Sequence, residues 1–401
     1  MNATERTSES VTEGHPDKLC DQIADTILDA YLRKDSQAHV AIECMISQNL
    51  LVIAGEIRSS ASINLEALAR AVLRSVGYNS REKGFDCDRS LIITNVNQQS
   101  KDISQGVDCA LEFKQRTTAD GDLKIGAGDQ GTVYGYACNE AEDYLPLTLY
   151  LAHRLTRRLA EVRKQGVFPF LRPDGKAQVT VRYDENDRPV SVKTVVLSAQ
   201  HDEAVSREEL TEKLTRDVIQ AVVPAELLRN SELLINPTGR FVIGGPQGDT
   251  GLTGRKIIID TYGGVIPHGG GAFSGKDPSK VDRSGAYMAR YAAKNVVAAG
   301  LADRCQIAVS YAIGVAEPVS VSVETFGTER IPLQVLQAIV HKTFQFAPGS
   351  IIETLHLRRP IYQSTACYGH FKSGFGYPWE ETDQVGLLER LKRAVVQAMQ
   401  R

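Results

Sequence analysis

No stretch of this 401-residue sequence approaches the ~18 consecutive apolar residues that a membrane-spanning helix needs. The first eighteen residues, MNATERTSESVTEGHPDK, contain no apolar run, so no secretory signal is expected. No two cysteines have C-x-x-C spacing. The seven (Cys20, Cys44, Cys87, Cys109, Cys138, Cys305, Cys367) are odd in number and sit in apolar runs, the pattern of reduced, buried thiols. A disulfide framework and a zinc site are thereby excluded. Nor does one charge dominate: 46 basic against 49 acidic residues leave −3, with no global pull toward nucleic acid or an anionic membrane. Any basic site must be local. Internal repeats and low-complexity tracts are missing too. A cytoplasmic chain without nucleic-acid or membrane partners is expected.

What is present is an ordinary globular mixture, 42% hydrophobic and 24% charged. The length suits two to four domains and a core that needs no staples. Apolar spacing at Leu19, Ile23, Ile27 and Tyr31 predicts a first helix over 16–32, with Pro16 at its first position. Its other face carries Asp17, Asp21, Asp25 and Asp29. Like charges four apart repel by a few tenths of a kcal/mol, so this stripe reads as solvated. Asp17, in the first turn, is favoured by the helix dipole.

A hairpin follows, HVAIECMI and LLVIAGEIR, turning at Gln48-Asn49. That register sets Glu43 opposite Ala54, with Glu56 diagonal on the same face. Further helices are predicted over 64–77, 144–164, 207–221, 284–299, 333–344 and 383–400. Strands are predicted over 90–97, 179–183, 191–200, 257–262, 306–315 and 320–325. Residues 98–124 are polar and aperiodic, as in a functional lid or a disordered stretch. Paired strands followed by helices argue for an α+β fold with mostly antiparallel sheets.

Two glycine motifs match only on the surface. Gly126 to Gly131 (GAGDQG) fits G-x-G-x-x-G, but a polar DGDLK precedes it and a strand-like TVYGY follows, against the dinucleotide fingerprint. Gly270 to Lys276 (GGAFSGK) fits part of a P-loop, yet Asp277 stands where Ser or Thr should hold Mg²⁺. The physics of the motif survives: glycines let backbone N–H groups approach phosphate, and a lysine adds charge.

Residues 240–282 interleave many glycines with Arg240, Arg255, Lys256, Lys276 and Lys280. Any one of these cations alone reads as a solvated surface residue. Together with Asp249, Asp277 and Asp282 they suit an anion that carries a divalent metal, since Mg²⁺ takes one or two carboxylates plus phosphate oxygens. His15 and Asp17, in EGHPDK, form a second cluster. A histidine before a Pro-started helix lies beside unpaired backbone donors, where an anionic ligand fits and a leaving-group stabiliser or general acid could act.

EGHPDK, GAGDQG, INPTGRFVIGGPQGDTGLTGRK, GGGAFSGKDPSKVDRS and SYAIGVAEPVSV, in this order, resemble the S-adenosylmethionine synthetase (methionine adenosyltransferase) family. The likeness runs from about Ser8 to the C-terminal YGHF and PWE segments. It implies three similar α+β subdomains (1–123, 124–243, 244–401) in a pseudo-threefold arrangement, each a mostly antiparallel sheet covered by helices. It implies attack of the methionine sulfur on ribose C5′ of ATP, with triphosphate expelled and hydrolysed to pyrophosphate and phosphate.

By the same resemblance His15 contacts the triphosphate near the oxygen bridging to C5′, while Arg255, Lys256, Lys276 and Lys280 hold the phosphates. Lys176 and Asp174, in an RPDGK turn, approach them, and Arg240, Phe241, Asp249 and Ala272 frame the nucleotide. Glu56, Gln99, Asp129, Asp249 and Lys280 match methionine-binding positions. Asp17 and Asp282 match ligands of two Mg²⁺ ions, and Glu43 a K⁺ ligand. Active sites between subunits of a homodimer or homotetramer are implied. Two departures stand out: the gate over 98–124 carries an inserted KQRTTADGDLK stretch, and IECMIS differs from the usual segment after Glu43. An ATP-dependent ligase or kinase using the same glycine–lysine region, and a non-catalytic nucleotide-binding regulatory subunit, are the alternatives.

Overall fold

The computed structural model describes residues 4–97, 111 and 125–399; the expected gate with Gln99, and Cys109, lie outside the described residues. The first third runs β1 (Thr4–Val11), α1 (Pro16–Lys34), β2 (His39–Ser47), β3 (Leu50–Arg58), α2 (Leu65–Val76) and β4 (Leu91–Asn97). The second runs β5 (Gly131–Cys138), α3 (Leu147–Lys164), β6 (Leu171–Tyr183), β7 (Pro189–His201), α4 (Arg207–Leu214) and β8 (Glu232–Ile235). The last opens with β9 (Gly251–Leu252), α5 (Ile257–Asp260), α6 (Val281–Ala298), β10 (Arg304–Tyr311) and β11 (Ser320–Glu324). It closes with α7 (Leu333–Thr343), α8 (Pro348–Thr354) and α9 (Val385–Met399).

Three larger sheets result, ordered β9-β2-β3-β4, β1-β6-β7-β8 and β11-β10-β5. Antiparallel pairing dominates, with β3–β4 and β7–β8 parallel. One long helix lies on each sheet: α1 on the first, α3 on the second, α6 on the third. This is the expected α+β plan of three similar units. The thirds are interwoven, however. β1 edges the second sheet along β6, β5 joins β10 in the third, and β9 joins β2 in the first.

Local chemistry explains several boundaries. Asn64 caps α2 by accepting from the Ala67 N–H at 3.0 Å, and Gly77 ends it at φ 110°, a left-handed value that suits glycine. The hairpin pairs Ser47 with Leu50 and Glu43 with Ala54, the register derived from its turn. The open face of that sheet aligns Leu252, Met45, Val52 and Ile93 in one row, Glu43, Ala54 and Asn95 in the next, and Ala41, Glu56 and Asn97 beyond. Leu91, Ile93 and Leu252 on this face are exposed.

Three sequence expectations are overturned. The acidic stripe of α1 is buried, not solvated: Asp17, Asp21, Asp25 and Asp29 are 0–2% exposed. Their charge is met by cations and by backbone N–H groups from the last third of the chain, described below. Residues 257–262, read as a strand, begin with the single helical turn α5, because Asp260 within the apolar run reaches buried Lys18. The RPDGK segment belongs to β6, where its Pro-Asp-Gly chemistry makes a break in register between Leu171 and Gly175 instead of a chain reversal. The helix expected over 207–221 does form, as α4, a wider π turn at Thr215–Ile219 and a last helical turn at Gln220–Val222. Strand β1 was missed because it reads as polar. Its inward serines pair instead: Ser8 with Thr148, and Ser10 with His153 and Thr156.

The small face of α6 (Ala289, Ala292, Ala293, Val296) is fully buried and permits backbone contact with β5. A Cβ on Gly135 would lie 2.0 Å from the Ala289 carbonyl carbon. Gly135→Ala is therefore expected to destabilise the fold by about 1–3 kcal/mol or more, because neither backbone can yield. A lowered urea midpoint checks this; an unchanged midpoint would contradict it.

Candidate active site

The chain turns from β1 into α1 through Thr12-Glu13-Gly14-His15, and that turn builds the site. His15 is the N-cap of α1, with φ −63° and ψ 136°. Its Nδ1 accepts the Asp17 backbone N–H at 3.2 Å, satisfying one of the donors a helix start leaves orphaned. With Nδ1 accepting, the ring hydrogen must sit on Nε2. Burial, reinforced by nearby Lys256, pulls the imidazole down to about 3, with Asp17 partly opposing. His15 is thus a neutral donor in a fixed tautomer, held at a helix N-terminus that favours anions.

A cleft of about 330 Å³ opens beside it, lined by His15, Asp174, Lys176, Arg240, Phe241 and Asp249, among others. Asp174 comes from the register break in β6 and Lys176 from the strand just after it. The Asp174 carboxylate accepts the Gly245 N–H at 2.9 Å, tying β6 to the glycine-rich 244–248 turn. Burial pushes it up to about 6, against the backbone N–H groups of Gly245 and Gly175. The Phe241 backbone is fixed to His201 at the end of β7, and exposed Arg240 pairs with Glu203 at 2.7 Å.

Asp17 adjoins the cleft. It accepts the Leu252 N–H at 3.0 Å, binds the Lys256 ammonium, and has Arg255 at 3.8 Å. Burial alone would raise its pKa, but Lys256 and the Leu252 N–H outweigh it and hold the carboxylate below its usual range. A second group forms where α6 begins. Lys276 pairs with Asp282 at 2.6 Å, and Lys280 pairs with Asp277. Asp277 proves to be a structural pin: fully buried, it accepts the Val40 N–H at 2.7 Å and fastens this turn to β2. Ala272 bridges the two groups, since a Cβ on Gly254 would lie 2.5 Å from the Ala272 Cβ, and one on Gly271 would lie 2.3 Å from Asp282.

The cleft thus gathers six sequence candidates, with Asp17, Arg255 and Lys256 at its edge. Lys276, Lys280 and Asp282 form the neighbouring group. Glu43, Glu56 and Asp129 are exposed, the first two on the open sheet face and Asp129 accepting from its neighbour Gln130. Among the described residues no three His, Cys, Asp or Glu side chains converge as a metal cage. Asp17 and Asp282 instead each stand as a single carboxylate held by a lysine, the donor set for a metal bound mostly through phosphate oxygens.

Three family models match in sequence order: the N-terminal domain of S-adenosylmethionine synthetase at 4–101, its central domain at 124–241 and its C-terminal domain at 243–381. The chain belongs to the S-adenosylmethionine synthetase family. The S-adenosylmethionine synthase of Petrotoga mobilis is 55% identical over 386 residues, covering 94% of this chain and 96% of that protein. Members of the S-adenosylmethionine synthetase family are methionine adenosyltransferases that use metal ions, which removes the kinase, ligase and regulatory-subunit alternatives. No helix among the described residues is long and apolar enough to cross a membrane.

Sequence reasoning missed Asp21, Asp25 and Arg283. The signal was there: four aspartates at a strict spacing of four on one helix repel unless something answers them.

Proposed function

We propose that this chain makes S-adenosyl-L-methionine from ATP and L-methionine by one displacement at ribose C5′. The methionine sulfur donates its lone pair to form the S–C5′ bond, and the C5′–O bond breaks with its electrons passing to the bridging oxygen of the triphosphate. Water then cleaves the triphosphate to pyrophosphate and phosphate. The observation that carries this reading is His15: a neutral N–H donor of fixed tautomer, facing a cleft that also holds Lys176 and Arg240. A donor held in place beside the leaving oxygen would need no reorganisation as the bond breaks.

Arg255, Lys256, Lys276 and Lys280 hold the phosphates in this reading, each exchanging its present carboxylate for phosphate oxygens. Asp174, Arg240, Phe241, Asp249 and Ala272 frame the nucleotide. Asp17 and Asp282 would hold Mg²⁺ ions, which neutralise phosphate charge. Glu43 is our candidate K⁺ ligand. Glu56, Asp129, Asp249 and Lys280, with Gln99, are assigned to methionine.

We assign a homodimer or homotetramer, with sites completed across subunits. The exposed Leu91, Ile93 and Leu252 lie on the sheet face that carries Glu43 and Glu56, so a second copy covering that face would also enclose these carboxylates. Buried free thiols at Cys20, Cys44, Cys87, Cys138 and Cys305 support a cytoplasmic location. We keep 1–123, 124–243 and 244–401 as the three sequence units.

With ATP, methionine, Mg²⁺ and K⁺, the purified protein is expected to yield S-adenosylmethionine, pyrophosphate and phosphate. ADP or AMP without a sulfonium product would sink this reading.

A further inference from the structure

The buried aspartates of α1 form a ladder with one rung per turn, each rung about 6 Å along the helix from the next. Every rung grips backbone from the last third of the chain. Asp17 takes the Leu252 N–H. Asp21 takes the Gly254 N–H at 2.9 Å with one oxygen and Lys18 at 2.9 Å with the other. Asp25 takes the Gly275 N–H at 2.9 Å and forms a two-pronged pair with Arg283, at 2.7 and 2.9 Å. Arg283 in turn donates to the carbonyls of Phe273 and Lys276, both at 3.0 Å. Asp29 takes the N–H groups of Tyr362 and Gln363, both at 3.0 Å.

The two middle rungs hold their backbone just ahead of the cations of the site. Gly254 immediately precedes Arg255 and Lys256, and Gly275 immediately precedes Lys276. We infer that Asp21 and Asp25 are positioning residues for adenosyl transfer, fixing the two phosphate-gripping loops at a set spacing along α1 without touching substrate. The inference rests on the triphosphate reading above. A stability role alone would not require the rungs to end on these loops, and the last rung shows the difference. Asp29 is likewise buried and accepts two backbone N–H groups, yet it pins residues 362–363, which carry none of the proposed phosphate ligands.

That difference supplies the test. Asp21→Ala and Asp29→Ala are compared with the wild type by calorimetric binding of inorganic tripolyphosphate with Mg²⁺, by steady-state kinetics and by thermal unfolding. Asp21→Ala is expected to bind tripolyphosphate about tenfold more weakly, with KM for ATP raised and KM for methionine little changed, the loss of one charge-assisted hydrogen bond sufficing for such a shift. Asp29→Ala is expected to unfold at lower temperature while binding tripolyphosphate like the wild type. If Asp21→Ala is not recovered folded, Asp21→Asn keeps the volume, and Lys18 remains neutralised by Asp260. Wild-type affinity in the Asp21 variants overturns the inference, as does equal weakening by Asp29→Ala. A wild type that makes S-adenosylmethionine but does not bind tripolyphosphate overturns it as well. A wild type that makes no sulfonium product overturns the functional reading itself, and this inference with it.

Discussion

Replacing His15 by asparagine is expected to lower kcat about 10²–10³-fold while leaving thermal stability nearly unchanged. Asparagine is as good an N-cap as any residue, so its side-chain oxygen can still accept the Asp17 N–H that His15 now accepts at 3.2 Å. Helix α1 keeps its start. What is lost is the Nε2–H on the far side of the ring, which a shorter amide cannot place at the same point. Removing one preorganised donor from a developing oxyanion costs about 10²–10³ in rate. Because the proposed role gives the donor its main effect as charge builds on the bridging oxygen, KM for methionine should move little. Steady-state kinetics beside a melting curve separate the effects. A kcat within about threefold of wild type would remove His15 from the reaction.

The largest effect on stability is expected outside the lining of the cleft, at Glu380. This buried carboxylate holds Arg290 through two bonds of 2.9 Å and Lys294 through one of 2.7 Å. Burial disfavours the Arg290 charge, and Glu380 outweighs that cost, so its pKa is raised. Glu380→Ala leaves two cations in the core with one anion fewer. Breaking one buried pair costs about 3–5 kcal/mol, against a total stability of about 5–15 kcal/mol for a typical domain. Carbonyls of Tyr136, Tyr144 and Asp143 still receive Arg290, which limits the loss. Glu380→Gln, keeping one acceptor, should fall between the variant and wild type. Denaturant titration reads the difference. An alanine variant within about 1 kcal/mol of wild type would show that these cations do not need their anion.

Where local rules act alone, the fold was legible. The Gln48-Asn49 turn set the hairpin register, and Asn64 and Gly77 bounded α2, because caps and turns are decided within a few residues. The candidate site was legible as a composition of glycines and cations between 240 and 282, and as His15 before Pro16. What could not be read is the answer to each local cost. Ser8 and Ser10 look like surface residues until α3 supplies partners. The stripe from Asp17 to Asp29 looks solvated until residues more than 200 positions away deliver N–H groups and Arg283. Asp277 looked like a departure from a phosphate loop, and its use as a pin on Val40 appears only when β2 lies beside it.

The exchange of strands among the sheets bears on how the chain is made. As it leaves the ribosome, the sheet of β2, β3 and β4 has no β9 until residue 252 has emerged, and β5 waits for β10, which ends at Tyr311. Loop closure over such distances is slow, and unpaired edges invite association with other chains. Folding of any one sheet is therefore tied to synthesis of its neighbours, and the nascent protein must stay unaggregated through about three quarters of its translation.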